Sequence, residues 1–169
     1  MTTIGKLTVT TQGDREVQVT RTFDAPRHLV FEALTTPALL RRWLLGPPGW
    51  TMTECEMDPK PGGAYRYAWR HTDGQTMGMR GVCTEVVPPQ RLVATEHFDE
   101  PWYPGEALVS QTLAERDGRT TLTMIIRYDS RETRDMVLKT PMATGMAAGY
   151  DRLDELLGSN APVSAGKGG

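Results

Sequence analysis

The sequence predicts an α+β domain in which an antiparallel sheet is covered by one long C-terminal helix. Three observations predict it. From Trp50 to Tyr128, short runs of β-branched and aromatic residues alternate with turn signals at the spacing of an antiparallel meander. Between Met142 and Leu157 the period changes: Met142, Met146, Tyr150, Leu153 and Leu157 recur at intervals of three and four, one apolar stripe on a helix. Ahead of both, an alternating strand leads into two short helical patterns.

The first strand is expected over Glu16 to Phe23, where Val17, Val19 and Phe23 share one parity. Arg21 shares it too, so either its charge reaches the rim of the core or the strand twists there. In DAPRHLVFEALTTP, Asp24 is placed to cap a helix, Pro26 suits its first turn, and Val30, Phe31 and Leu34 fall at helical spacing. Pro37 opens a second short helix through Leu39, Leu40 and Trp43, which the breaker run GPPG ends. About six strands follow. The last two, ALVSQTLAE and TTLTMIIRY, are joined by RDGR, where Asp-Gly supplies the positive φ angles of a tight hairpin. Ser130 is placed to cap a helix, and Thr140 with Pro141 to restart one that ends at Gly158. Residues 1–14 read as an N-terminal extension, 15–158 as the domain, and the small, turn-forming residues 159–169 as a disordered tail.

A chain of 169 residues holds one domain, and at this size folding buries roughly 70% of the unfolded surface. The formal net charge of −2 provides no broad positive field for nucleic acid or anionic lipid, and no partner of either kind is expected. No membrane insertion is expected, because no run of 18 apolar residues occurs; the polar, β-rich N-terminus lacks the apolar core of a signal peptide. Cys55 and Cys83 stand far apart with no CxxC partner, so neither a disulfide framework nor a zinc site is indicated, and the cytoplasm is the expected location. His28, His71 and His97 show no metal-ligand spacing, and no phosphate-binding, dinucleotide-binding or serine-nucleophile motif is present. No metal or cofactor is therefore expected. Nine Met, four Trp and five Tyr stand against only three Phe. The large side chains are mostly flexible sulfur or polar-tipped aromatics.

Five local motifs occur in order: FDAPRHLVFEALTTP, LLRRWLLGPPGW, MDPKPGG before an aromatic strand, GVCTEVVPPQRLVATEHF, and TGMAAGYDRLDELL. Together they resemble the SRPBCC, or START-like, superfamily, and within it the branch of homologues of the activator of the 90-kDa heat-shock-protein ATPase. The resemblance spans roughly residues 15 to 158. It implies the helix-grip fold, a strongly curved antiparallel sheet wrapped around the last helix with a cavity between them. It does not imply one reaction, since the superfamily includes lipid and polyketide binders, self-sacrificing resistance proteins, cyclases and chaperone activators.

Within that frame, Tyr65, Tyr67 and Trp69 alternate with Arg66, Ala68 and Arg70, which puts the three aromatics on one face. Buried hydroxyl and indole groups need partners, and a cavity offers them through water or ligand, although ordinary packing would use the same residues. Met77 and Met79 on the next strand, with Met142, Met146 and Tyr150 on the last helix, suit an adaptable wall or simple gap filling. Trp43, Trp50 and Trp102 lie at element ends, where they are placed to frame a mouth; Trp43 equally continues a packing stripe. Among polar candidates for acid–base chemistry, Glu54, Glu56, Glu96, His97 and Arg127, most are expected on the solvated face. Glu96 and His97 point to opposite sides of a regular strand, so only one of them faces inward.

The leading expectation is a protein that binds a hydrophobic or aromatic small molecule between sheet and helix, with Trp43, Tyr65, Tyr67, Trp69, Met77, Met79, His97, Trp102, Met142, Met146 and Tyr150 as the contact set. The alternatives are a cyclase- or dehydratase-like enzyme on the same fold, with Glu54, Glu96 or His97 as acid or base, and a co-chaperone or interaction module. Homodimerisation through a sheet edge or the helix is a further expectation.

Overall fold

The computed structural model describes residues 1–167, with side chains through Gly158. Its strands are β1 (Thr2–Ile4), β2 (Leu7–Gln12), β3 (Glu16–Phe23), β4 (Trp50–Met57), β5 (Ala64–His71), β6 (Thr76–Val87), β7 (Arg91–Phe98), β8 (Ala107–Arg116) and β9 (Arg119–Arg127). Its helices are α1 (Arg27–Thr35), α2 (Pro37–Trp43), α3 (Arg131–Leu138) and α4 (Met142–Lys167). The strands form one antiparallel sheet in the order β1-β2-β3-β9-β8-β7-β6-β5-β4. Only one connection departs from a meander. The pair α1 and α2 carries the chain from β3 in the middle to β4 at the far edge, and β3 then receives β9 along its whole length, from Glu16 opposite Arg127 to Phe23 opposite Thr120. This is the α+β helix-grip arrangement that the sequence order implies.

The residues read as an N-terminal extension supply two of the strands. Leu7 and Val9 are buried on the core side, and β2 pairs with β3 from Thr8–Thr20 to Gln12–Glu16. Their alternation is too short to announce a strand by itself; pairing onto a long neighbour stabilises it. At the other end α4 runs past Gly158, which keeps a helical rather than a left-handed conformation and so does not act as the expected terminator. The tail expected at 159–169 lies outside the residues whose side chains are described.

Helix starts follow local chemistry in two cases and tertiary contact in a third. Ser130 Oγ accepts from the Thr133 amide at 3.1 Å and caps α3. The Thr140 hydroxyl accepts from the Met142 amide at 3.4 Å where Pro141 restarts the chain into α4. For α1 the cap position is Pro26 rather than Asp24, and no local side chain caps it; the Arg27 amide instead donates to Glu115 Oε1 on β8 at 2.8 Å. The β8–β9 hairpin turns on Asp117 and Gly118, both at positive φ (54° and 75°), as Asp-Gly requires.

Arg21 ties the last helix to the sheet. Its side chain is 1% exposed, and its guanidinium lies 2.8 Å from Asp151 Oδ1 and 3.4 Å from Asp154 Oδ2, both on α4. It also sits over the Phe23 ring at 5.3 Å. The inward charge in β3 is thus met by the covering helix, and Val17, Val19 and Phe23 beside it are fully buried. Since Asp151 is 61% exposed and the arginine is not, the arginine is the partner that depends on the pair. Replacing Arg21 by Ala removes the buried charge but leaves a void between β3 and α4, and equilibrium denaturation should report a loss of about 3 kcal/mol. Asp151→Asn keeps an acceptor for the guanidinium and leaves Asp154 as its counter-charge, so it should cost only about 1 kcal/mol; equal losses for the two variants would refute this asymmetry.

Candidate ligand-binding cavity

The site grows from the alternation in β5. Arg66 projects outward, where it bonds Glu54 at 2.9 Å and Asp99 at 2.7 Å, and Arg80 joins the same Asp99 at 2.6 Å. With the arginines fixed on the outer face, Tyr65, Tyr67 and Trp69 all turn inward and are nearly buried. Their rings run in sequence along the wall, with centroids 5.1 Å apart for Tyr65–Tyr67 and 6.2 Å for Tyr67–Trp69. Gly81 on β6 lets the Tyr65 ring cross its strand: a Cβ there would collide with both that ring and the Thr95 carbonyl.

A cavity of about 340 Å³ remains between this wall, α2 and α4. Of the expected contact set, Trp43, Tyr65, Tyr67, Trp69, Met77, Met79, Met146 and Tyr150 line it. Three do not. His97 has the wrong parity, pairing with Arg80 on β6 while its neighbours Glu96 and Phe98 face the cavity. Trp102 packs edge-on against Phe98 and Tyr103, at 5.6 and 5.0 Å, and stays 38% exposed outside the wall. Met142 is taken up by the Tyr128 hydroxyl, which donates to its sulfur at 3.7 Å. Of the acid–base candidates only Glu96 lines the cavity; Glu54 lies on the outer face, bound to Arg66. Trp50 lines the mouth with Leu44, Leu45 and Gly46 from the loop before β4.

Three of the aromatic polar tips are satisfied by the protein itself rather than by a ligand or water. Trp43 Nε1 donates to the Ala33 carbonyl and Trp69 Nε1 to the Leu44 carbonyl, each at 2.9 Å, and the Tyr65 hydroxyl donates to the Thr95 carbonyl at 2.6 Å. These bonds fix ring positions. Sequence reading also missed Phe98 and Gln111, yet the signal was there. Phe98 shares the parity of Ala94 and Glu96, and Gln111 interrupts the inward series Val109, Leu113 on β8.

Glu96 is the only charged residue among the described residues of the wall. It is half-buried, and burial pushes its carboxyl up to about 7 from an ordinary 4.5, against a smaller opposing influence of the Tyr103 hydroxyl. Tyr103 is itself buried, and its hydroxyl has no partner in regular hydrogen-bonding geometry. Tyr65, Tyr103 and Tyr128 surround the carboxyl, and its charge helps burial to raise all three phenols. Among the described residues no group of three His, Cys, Asp or Glu is arranged to hold a metal ion, and no helix is long and apolar enough to cross a membrane.

This architecture has known counterparts. The family described as Activator of Hsp90 ATPase homolog 1-like protein matches residues 24–158. The chain belongs to that family. A crystal structure of a protein from Rhodobacter sphaeroides is similar to this Hsp90-activator-like chain at 36% identity and TM-score 0.86, over 91% of this chain and 99% of the other. A Mycobacterium smegmatis protein is similar at 26% identity and TM-score 0.77, covering 89% and 96%. A Silicibacter pomeroyi protein shares the fold at 21% identity and TM-score 0.68, covering 86% and 99%. No curated protein matches.

The position of Glu96 gives stability a pH signature. The unfolded chain releases this proton near pH 4.5, whereas the folded protein holds it until about 7. Between those values the unfolded state binds fewer protons, so stability falls as pH rises through the window and levels off above it. The full shift corresponds to about 3 kcal/mol at most. Thermal melts of the protein and of Glu96→Gln should therefore diverge from pH 4.5 to pH 8, with the variant more stable at the upper end. Parallel curves would show that Glu96 is not held in an apolar wall.

Proposed function

We propose that this protein binds a hydrophobic or aromatic small molecule in the cavity between its sheet and α4. One observation carries the reading: a 340 Å³ space, walled by Trp, Tyr, Met and Leu side chains, in a protein of a size whose interior is ordinarily close-packed. Burial of the ligand's apolar surface supplies most of the affinity, and the preset rings of Trp43, Tyr65 and Trp69 select its shape. Met77, Met79 and Met146 adapt to it. Cys55 and Cys83 are both buried free thiols, which suits the reducing cytoplasm.

A second reading is favoured by Glu96. A carboxyl that changes charge near neutral pH inside an apolar wall is placed to exchange a proton with a bound molecule, as in a cyclase- or dehydratase-type reaction. Under that reading Glu96→Gln abolishes turnover and leaves binding intact.

Gly149 offers the test of the binding site. It lies in α4 on the cavity wall, and a Cβ there would meet nothing nearer than Trp43, at 4.0 Å. Gly149→Leu should fold with equal or greater stability, since helix propensity gains up to about 1 kcal/mol, while its side chain occupies part of the space. Ligands found by screening apolar and polyketide-like aromatics against the native protein should stabilise it by about 2.7 kcal/mol at 100-fold excess over Kd. The same ligands should lose at least about tenfold in affinity for the variant, a difference of 1.4 kcal/mol. Undiminished binding to Gly149→Leu would place the ligand elsewhere.

A further inference from the structure

The cavity wall is one-sided in charge. The indole donors of Trp43 and Trp69 are spent on the Ala33 and Leu44 carbonyls, and the Tyr65 hydroxyl proton is spent on Thr95. No Lys, Arg or His lines the space among the described residues, and the one charged group there is the carboxyl of Glu96. That carboxyl has no cationic partner. The influences upon it are its burial and the Tyr103 hydroxyl alone, whereas Glu54 and Asp99 on the outer face are each held by arginine. Around it the rings of Tyr65, Tyr67, Trp69 and Phe98 line the same space. The remaining polar groups, the Gln111 amide, the Trp50 indole and the hydroxyls of Tyr67 and Tyr150, are neutral, and the amide and hydroxyls accept as well as donate.

From this juxtaposition we infer that the ligand of the cavity is an organic cation: an apolar or aromatic body carrying a protonated amine, which pairs with Glu96 inside the aromatic wall. The inference rests on the cavity being the ligand site and deepens that reading by naming the ligand's charge. An ammonium group meets two complementary features at once, a carboxylate without a counter-ion and a wall of aromatic rings in a space of low dielectric. An anionic ligand meets the reverse. It would place a second negative charge beside Glu96 and find no basic side chain in the wall. A neutral ligand would fill the space but leave the carboxyl unpaired.

Three probes of one shape separate these cases: 2-naphthylmethylamine, 2-naphthylmethanol and 2-naphthoic acid, titrated calorimetrically into the full-length protein at pH 8, where amine and carboxyl are both ionised. The amine should bind at least about tenfold more tightly than the alcohol, and the acid most weakly, by the ordinary worth of a desolvated charge pair. In Glu96→Gln the preference of amine over alcohol should shrink to within about threefold. Glu96→Met provides a second variant of similar volume with the same expected loss of preference. If alcohol and amine bind alike to the native protein, or if the acid binds best, the cation assignment is wrong and the cavity remains a ligand site. If none of the three binds and Gly149→Leu changes nothing for any screened ligand, the cavity reading falls and the cation assignment with it.

Discussion

An open space in a close-packed protein persists only if the side chains around it are kept from falling in, and the rest of this structure depends on that constraint. Interiors normally close to near-crystalline density, and each unfilled volume forfeits dispersion contacts. Here the large wall residues are held from behind. The Trp43 indole is pinned to the backbone of α1, the Trp69 indole to the loop after α2, and the Tyr65 hydroxyl to β7 across Gly81. Each bond takes a rotamer that would otherwise be free to collapse inward and fixes it. On the opposite side α4 is held by Arg21 through Asp151 and Asp154, so the lid of the space is anchored at a charged site rather than by filling the space itself. In Trp43, Trp69 and Tyr65 the polar tips that distinguish Tyr and Trp from Phe therefore serve as struts.

The same constraint explains the division of labour across the sheet. On the outer face, Glu54, Arg66, Asp99 and Arg80 form a chain of ion pairs in solvent, where each contact is worth little but the set fixes which way β5 and β6 face. A slip of one residue would carry the arginines into the cavity and the aromatics into water. Exposed charges thus secure the register on which the apolar wall depends.

Much of this was legible in the sequence because periodicity records burial. The parity of Val17, Val19, Arg21 and Phe23, the inward triad of β5 and the stripe from Met142 to Leu157 all follow from one rule, that a face meeting the core repeats at two or at three to four. What the sequence withheld was of a different kind. Whether Arg21 found a partner depended on α4, some 130 residues away in the chain. The capping of α1 by Glu115 depended on β8, and Trp102 left the cavity because Phe98 and Tyr103 offered it a surface. Alternation placed Glu96 and His97 on opposite faces, yet nothing local says which of the two faces is inward; the neighbours Ala94 and Phe98 decide it only once the strand's pairing is known. The indole and phenol partners were equally hidden, since a backbone carbonyl of a distant loop leaves no mark in composition.

Glu96 is where fold and function separate. The inward series of β7, Leu92, Ala94, Glu96 and Phe98, would be at least as well satisfied by an apolar residue in the third place, because the period is unchanged and the desolvation of a carboxyl is avoided. Folding alone therefore gives no reason for an acid there, and the raised carboxyl registers that cost directly. The neighbours do not repay it: the wall brings no cation, and Tyr103 stands close without completing a regular hydrogen bond. The acid at this place is one that the fold neither needs nor compensates, and the family shape, shared at 21–36% identity by proteins from several bacteria, supplies the container without stating its contents. What distinguishes the wall of this member from plain core is a few inward positions that depart from apolar character without breaking the period, Glu96 on β7 and Gln111 on β8.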